Sequence, residues 1–255
     1  MTGLPAAADA AWTALAFILG AAIGSFLATI LVRWPQGRSV VAGRSACDKC
    51  GRTLEARDLV PILSWSLARG RCRTCGGRID RRHLAAEAGA AMIGLAAILA
   101  HPMPLAAVTA ILGWWLFLLA ALDVEHEWLP DRLTWPLLAA GLAAAWGGFG
   151  PSFDSRLIGA AAGFASLFLI ALLYRAVRGR EGLGGGDPKL FAAIGAWLGW
   201  TQLPFVLVGA GLLGLAALLV KRLRGGSIEA TDRLPLGALM ALAAWPIWIV
   251  ISRQQ

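Results

Sequence analysis

Three groups of residues have the types and the spacing that chemistry requires. Two Cys-x-x-Cys-Gly motifs lie at residues 47–51 and 72–76. An acidic stretch at residues 123–131 carries four carboxylates and no lysine or arginine. A glycine run at residues 184–186 leads directly into Asp187, Pro188 and Lys189. The cysteines suit a metal, and the acidic residues suit proton transfer.

The paired cysteine motifs predict a tetrahedral zinc site. Four thiolates saturate zinc, so such a site is structural and leaves no open position for catalysis. The glycine after each motif permits the tight turn around a metal. Two disulfides are an alternative that a reducing cytosol disfavours, and a redox centre would need only one motif. The predicted metal ligands are Cys47, Cys50, Cys72 and Cys75.

Asp123 and Asp187 are the two acidic residues that we expect to do the chemistry. Asp123 ends an apolar segment, where a helix dipole disfavours a carboxylate, so no structural role explains it. Asp187 starts another apolar segment at the same membrane face, so the two can meet in a helical bundle. Two carboxylates that share a site titrate at different pH values, and one can then act as a base while the other acts as an acid.

Simpler roles exist for some of these acids. Asp187 precedes Pro188 and an apolar helix, so it could be an N-cap. For Asp131 we favour the N-cap interpretation.

Helix polarity places Asp187 at a helix N-terminus and Asp123 at a C-terminus, which predicts Asp187 as the base and Asp123 as the acid.

The composition sets the elements that position these residues. Of the 255 residues, 58% are hydrophobic and 15% are charged, against about 45–50% and about 25% in soluble proteins. We therefore predict an all-α polytopic membrane protein with about eight transmembrane helices and a cytoplasmic zinc-knuckle loop. The spans are predicted at residues 10–32, 84–101, 105–122, 133–153, 157–174 and 234–252, with residues 190–220 broken into two near residues 201–204.

The basic residues predict the orientation. In the eight-span arrangement with both termini outside, all lysines and arginines except Arg156 and Arg253 face the cytoplasm, which satisfies the positive-inside rule. The net charge of +8 is explained by this topology and by anionic lipid, so we expect no nucleic-acid partner. Three parts follow: a first span (1–33), a cytoplasmic four-cysteine zinc-binding loop (34–83) and a transmembrane catalytic core (84–255).

The chain resembles the prepilin peptidases, also called type IV leader peptidases, a family of membrane aspartic proteases. The resemblance runs from about residue 24 to about residue 200. It rests on Gly-Ser-Phe-Leu at 24–27, the cysteine knuckles, Pro-Ile-Leu-Ser-Trp at 61–65, Arg-Cys-Arg at 71–73, Glu87, Asp123 with Leu-Pro-Asp at 129–131, and Gly-x-Gly-Asp-x-Lys-Leu at 184–190. The chain departs from the family pattern at Ala28, at residues 58–61 and at His83.

The resemblance implies cleavage of the basic leader from type IV prepilins or type II secretion pseudopilins, after a Gly at the cytoplasmic face of the bacterial inner membrane. It implies that Asp123 and Asp187 are catalytic, whereas Asp131 belongs to the family signature but is not the usual catalytic choice. Many members of the family also methylate the new N-terminal residue with S-adenosylmethionine, so this cofactor is expected beside zinc.

We expect the substrate to contact the residues around the two aspartates. The acidic stretch can attract a basic leader, and the glycines allow close approach of an extended peptide. The predicted substrate-binding residues are Glu125, Glu127, Gly184, Gly186 and Lys189. Two alternatives stay open: a presenilin-like Gly-x-Gly-Asp intramembrane protease, and a non-enzymatic membrane assembly protein whose zinc loop docks a partner.

Overall fold

The computed structural model describes residues 6–41, 43–179, 182–227 and 234–253. The α-helices in chain order are α1 (Ala6–Arg33), α2 (Leu63–Leu67), α3 (Arg81–Ala100), α4 (Leu105–His126), α5 (Asp131–Ala143), α6 (Phe153–Arg178), α7 (Asp187–Leu198), α8 (Leu203–Leu223) and α9 (Leu236–Ser252). Short 3-10 helices lie at Trp34–Gln36, Ala56–Asp58 and Trp200–Gln202. The chain forms two compact units, Met1–Trp114 and Trp115–Gln255, which meet in sequence within α4.

The first unit is built on the close packing of α1 against α3. Gly20 lies so near α3 that a Cβ atom there would stand 2.5 Å from the carbonyl oxygen of Ala90. A Cβ atom at Gly94 would likewise stand 2.5 Å from the carbonyl oxygen of Ala16. Small residues at a contact let two apolar helices approach along their backbones, which is how helices associate in a membrane. The loop between α1 and α3 carries both cysteine knuckles.

The second unit is organised around α7, whose residues are buried except for Lys189. Glycines again set the contacts, since a Cβ atom at Gly163 of α6 would stand 2.6 Å from the carbonyl oxygen of Phe191. On another side, the indole N–H of Trp197 donates to the carbonyl of Leu137 in α5 at 2.9 Å. A short apolar helix is thus enclosed by α5, α6 and α9, and its two ends are held in place.

Arg156 is a fully buried cation at the C-terminal end of α7. Its guanidinium group donates to the carbonyls of Gly141 at 2.6 Å, Pro151 at 2.8 Å and Ala196 at 3.1 Å, and also to Phe149. It lies 5.9 Å from the ring centre of Trp248 in α9, a cation–π distance. One side chain therefore joins α5, α6, α7 and α9, and it saturates carbonyls that would otherwise lack donors in an apolar interior.

The helices agree in part with the predicted spans. A helix lies at each of the eight predicted positions, and the break predicted around residues 101–104 separates α3 from α4. Five helices in the described part of the chain are long and apolar enough to cross a membrane: those within Ala10–Gln36, Arg81–Ala100, Leu105–His126, Phe153–Arg178 and Trp200–Leu223. The other three, α5, α7 and α9, have 13, 12 and 17 residues.

The prediction for α5 was too long because hydropathy does not separate an apolar loop from a helix. Residues 144–152 are apolar enough to extend the span, but they include Gly147, Gly148, Gly150 and Pro151, and the helix ends at Ala143. Helix length therefore supports five of the eight predicted spans. The predicted orientation rests on the charge distribution alone.

Replacing Arg156 tests its organising role. Arg156→Leu leaves buried carbonyls without donors, each costing about 1–3 kcal/mol, so we expect the second unit to lose about 3 kcal/mol of stability or more. Arg156→Lys keeps the charge but not the planar set of donors, so its loss should be intermediate. Thermal unfolding in detergent is the measurement, with exposed Arg178 as the matched control. Arg178→Leu should cost less than about 1 kcal/mol, and an Arg156→Leu variant as stable as this control would contradict the role.

Candidate active site and metal centre

Asp123 lies in the last turns of α4 and is buried, with 6% of its surface exposed. Its Oδ2 atom accepts a hydrogen bond from the backbone N–H of Ala238 at 2.8 Å. Ala238 belongs to the first turn of α9, where backbone N–H groups have no partner within their own helix. The carboxylate of Asp123 therefore takes the place of an N-cap for a helix that begins 113 residues later in the chain.

Asp187 is the first residue of α7, with 8% of its surface exposed. Gly186 is the N-cap residue, so the simpler interpretation of Asp187 as the N-cap is wrong. The Asp187 Oδ2 atom accepts from the N–H of Gly184 at 3.1 Å, and the Asp187 N–H donates to the carbonyl of Gly184 at 3.2 Å. The glycine run thus folds back on the carboxylate that follows it.

The two aspartates meet at the start of α9. The first turn of α9 lies against Asp123, where a Cβ atom at Gly237 would stand 2.9 Å from Oδ2, and Asp187 is close enough for the charge of Asp123 to act on it. Leu129 packs beneath them: a Cβ atom at Gly186 would stand 2.7 Å from its Cβ, and one at Gly237 would stand 2.7 Å from its Cδ1. A pair of buried carboxylates that share one helix N-terminus can hold one proton between them and act as acid and base.

The structure places the other predicted site residues around this pair. Glu125 lies in the last turn of α4 and Glu127 follows directly after the helix. Both are exposed, and Oε2 of Glu125 lies 3.7 Å from the Nε2 atom of His126. Lys189 forms an ion pair with Asp131, with its Nζ atom 2.6 Å from Oδ1. Asp131 is the first residue of α5 and Pro130 is its N-cap, so the N-cap prediction for Asp131 is wrong. The side chain of Asp131 instead links α5 to α7.

Sequence reasoning missed the contribution of α9. The available signal was Pro-Leu-Gly at residues 235–237, a proline at a helix start with a glycine in the first turn. A glycine at this position lowers helix stability, so its presence indicates that a side chain would not fit there. The reason is the carboxylate: a Cβ atom on Gly237 would stand 2.9 Å from Oδ2 of Asp123.

The four cysteines come together in the loop of the first unit. Their sulfur atoms all lie within 4.8 Å of one another, and the four side chains are free thiols. Cys47 Sγ and Cys75 Sγ are 3.9 Å apart, far beyond a disulfide bond and near the separation of two ligands on one tetrahedral ion. The donor set and its size therefore fit a metal ion.

The two cysteine knuckles share one backbone geometry. In each, the N–H of the final glycine donates to the carbonyl of the first cysteine at 2.9 Å, as seen for Gly51 with Cys47 and for Gly76 with Cys72. Gly51 has φ +70° and Gly76 has φ +66°, a left-handed conformation that a Cβ atom would strain. The tight turns predicted at these glycines are present.

An ionic cluster joins the two knuckles. Asp58 pairs with Arg52 at 2.8 Å, beside the first knuckle, and with Arg73 at 3.3 Å, inside the second. The N–H of Glu55, together with Arg52 and Arg73, holds the pKa of Asp58 below its usual range. Backbone N–H groups of Cys75 and Thr74 lower the pKa of the Cys72 thiol to about 6, which favours the thiolate that a metal requires.

A cleft in the first unit lies between the knuckles and the helices α1 and α3. It encloses about 1130 Å³, part of which opens to solvent. Its lining includes buried Glu87, Arg33 and Trp65. Glu87 accepts from the N–H of Ile62 at 2.7 Å, and within the described residues the buried indole N–H of Trp65 has no acceptor. The cleft thus offers a negative group, a positive group and an aromatic donor.

Comparison with known proteins identifies the family. Residues 18–101 match the Bacterial Peptidase A24 N-terminal domain, and residues 110–219 match the Type IV leader peptidase family. The chain is 38% identical to a Prepilin leader peptidase/N-methyltransferase of Burkholderia pseudomallei (strain 1026b), over 89% of this chain and 82% of the relative. It is 34% identical to a Type 4 prepilin-like proteins leader peptide-processing enzyme of Escherichia coli O78:H11, over 91% of this chain and 92% of the relative.

The chain belongs to the Type IV leader peptidase family. A Prepilin leader peptidase/N-methyltransferase of Dichelobacter nodosus is a further relative, 37% identical over 82% of this chain and 72% of its own length. The comparison with solved structures gives no significant match. Both aspartates lie within the region that matches the peptidase family, and all four cysteines lie within the region that matches the N-terminal domain.

Removing one thiolate tests the metal centre. Cys72→Ser should lose the bound metal and weaken the fold of the loop, because metal binding supplies folding free energy in a segment with little apolar core. Elemental analysis of the purified chain measures the metal directly. Thr74→Ala is the matched control, since it keeps the backbone N–H that faces Cys72, and it should keep the metal. A Cys72→Ser protein with full metal content would contradict the site.

Proposed function

We propose that this protein is a membrane aspartic endopeptidase that removes the basic leader of type IV prepilins or pseudopilins. Its relatives carry names for this activity, and the chain covers most of their length. The observation that supports the chemistry is the meeting of buried Asp123 and Asp187 at one helix N-terminus. A presenilin-like intramembrane protease and a non-enzymatic assembly protein fit the family comparison less well.

The mechanism is general acid–base hydrolysis by the two aspartates. One carboxylate takes a proton from water, whose oxygen attacks the carbonyl carbon of the scissile glycine. The other carboxyl group donates its proton to that carbonyl, which gives a tetrahedral intermediate with two hydroxyl groups. The group that took the water proton passes it to the leaving amine as the C–N bond breaks, and a hydroxyl of the intermediate returns its proton to the other carboxylate. The reaction consumes one water and leaves the pair with one proton shared, as it began.

The substrate is held by its two different ends. The apolar segment of the prepilin lies in the bilayer, and the basic leader stays on the cytoplasmic side of the inner membrane. Glu125 and Glu127 are exposed beyond Asp123, where they attract the positive leader. Gly184 and Gly186 shape the loop beside Asp187, and Lys189 with Asp131 fixes that loop to α5. Orienting both ends brings the scissile bond to the carboxylates.

The four-cysteine centre holds structural zinc in this proposal. Four sulfur ligands leave no position for water, so the metal takes no part in hydrolysis. It folds the loop that forms one wall of the cleft in the first unit.

The same chain methylates the new N-terminus in a second reaction, as the names of its relatives indicate for those proteins. S-adenosylmethionine supplies the methyl group when bound. We propose that this cofactor binds in the cleft of the first unit, because the charged side chains and the indole N–H of Trp65 there are complementary to its charged and polar groups. Glu87 would hold the cationic end, Arg33 the carboxylate, and the indole N–H of Trp65 a ring nitrogen of the base.

Substitution of each aspartate tests the proposed pair. Asp123→Asn and Asp187→Asn should each reduce leader cleavage by at least about 10³-fold, because an amide can neither accept nor donate the required proton. Asp131→Asn is the control and should retain most activity, since Asp131 pairs with Lys189. Cleavage of a purified prepilin is followed by the loss of its leader. Activity in Asp123→Asn with none in Asp131→Asn would overturn the pair, and activity in both Asp123→Asn and Asp187→Asn would overturn the enzyme class.

Glu87→Gln tests the cofactor cleft. The amide keeps the size of the side chain and an acceptor for Ile62, but it removes the negative charge. We expect methylation to fall by at least about tenfold while cleavage is unchanged. Mass spectrometry of the mature N-terminus measures both reactions in one sample. Glu55→Gln, an exposed carboxylate outside the cleft, is the matched control. Normal methylation in Glu87→Gln would contradict the placement.

A further inference from the structure

The first turn of α9 contacts Asp123 directly, although none of the sequence motifs includes it. The N–H of Ala238 donates to Asp123 at 2.8 Å, and a Cβ atom at Gly237 would stand 2.9 Å from Oδ2 of the same carboxylate. The first intrahelical bond of α9 is donated by Leu239 to the carbonyl of Pro235 at 3.1 Å. The N–H groups of Gly237 and Ala238 therefore have no carbonyl to bind inside the helix, and they are available to the aspartates.

Two like charges repel each other in a buried site, and this repulsion needs compensation. No Lys or Arg in the described part of the chain forms an ion pair with Asp123 or Asp187. The positive end of the α9 dipole lies at the carboxylates and supplies a partial positive charge without a titratable group. A lysine or arginine at this position would form an ion pair with the carboxylates and favour the state in which both are ionised. The weaker charge of a helix end is therefore better suited to two carboxylates that share one proton.

Gly237 is the residue that makes this approach possible. A Cβ atom there would stand 2.9 Å from Oδ2 and 3.2 Å from Cγ of Asp123, and 2.7 Å from Cδ1 of Leu129. Gly237 lies in the first turn of α9 and does not have a positive φ, so the requirement for glycine at this position is one of space. Any side chain would displace the carboxylate or the helix end that holds it.

We propose that Gly237 and Ala238 are positioning residues for hydrolysis, with the first turn of α9 holding Asp123 against Asp187 through backbone N–H groups. This proposal rests on the proposed function. It assigns a role in the reaction to a segment that lies beyond the region matching the peptidase family, which ends at residue 219.

Gly237→Ala tests the proposal in the full-length chain, with a purified prepilin in lipid nanodiscs as the substrate. The added methyl group displaces Asp123, so we expect kcat to fall by about 10- to 100-fold while KM changes by less than about threefold. A general loss of folding would instead lower the active fraction or change KM as well. Gly211→Ala in α8 is the matched control, because a Cβ atom there meets nothing within 4 Å, and it should keep the activity of the unmodified chain.

Leu129 allows the two contacts of the new methyl group to be separated. Leu129→Ala removes one of them, so the double variant Leu129→Ala/Gly237→Ala keeps only the contact with Asp123. Measured against Leu129→Ala alone, the loss in kcat should persist. Recovery of kcat in the double variant would show that Gly237 matters for packing against Leu129, and the proposal would be wrong.

Ala238→Pro provides a second test, because it removes a backbone N–H group while making the side chain only slightly larger. Proline lacks the N–H that donates to Asp123, and the first turn of a helix tolerates it because no intrahelical bond is lost. We expect kcat to fall by at least about tenfold. Normal kcat in both Gly237→Ala and Ala238→Pro would overturn the proposal while leaving the proposed function intact. An unmodified chain that cleaves no prepilin would instead overturn the proposed function.

Discussion

The second unit depends on keeping two carboxylates together inside an apolar bundle. Burial removes the water that would solvate them, and their like charges repel. Backbone N–H groups provide the compensation: Gly184 donates to Asp187, and Ala238 donates to Asp123. A neutral N–H donor favours the ionised carboxylate less strongly than the full charge of lysine or arginine does, so one of the two aspartates can keep its proton.

This constraint explains why glycines surround the site. Gly186 and Gly237 both face Leu129, and a Cβ atom on either would overlap its side chain. At Gly237 a Cβ atom would stand 2.9 Å from Oδ2 of Asp123, and at Gly184 one would stand 3.1 Å from Oδ2 of Asp187. The site therefore depends on both residue types. Backbone N–H groups donate hydrogen bonds to the aspartates, and the absence of a glycine side chain leaves room for the carboxylates and for Leu129.

The opposite end of α7 is held by the opposite charge. Asp187 lies at its N-terminus, and Arg156 donates to the carbonyl of Ala196 near its C-terminus. Each charge has the sign that the adjacent helix end favours. A helix of 12 residues is marginal by itself, so its position depends on these ends and on the helices around it. The hydrogen bonds of Arg156 to these backbone carbonyls also explain why this arginine lies away from the predicted cytoplasmic face.

The features that sequence analysis predicted correctly are local ones. Each cysteine knuckle is a turn of a few residues, so spacing and glycine positions were enough to predict its geometry. The bounds of α5 were not predictable from hydropathy, because an apolar loop and an apolar helix have the same composition. The ion pair of Asp131 with Lys189 joins residues 58 positions apart, and no local pattern separates it from an N-cap.

The contact of α9 with Asp123 is a tertiary interaction that changes a prediction made from helix polarity alone. From its own helix, Asp123 sits at a C-terminus, and Asp187 sits at an N-terminus, which predicted different roles for the two. The structure adds the N-terminus of α9 beside Asp123. Both carboxylates then lie at a positive helix end, and helix polarity no longer distinguishes base from acid. Each carboxylate accepts a backbone N–H hydrogen bond, Asp123 from Ala238 and Asp187 from Gly184, so these donors do not assign the two roles either.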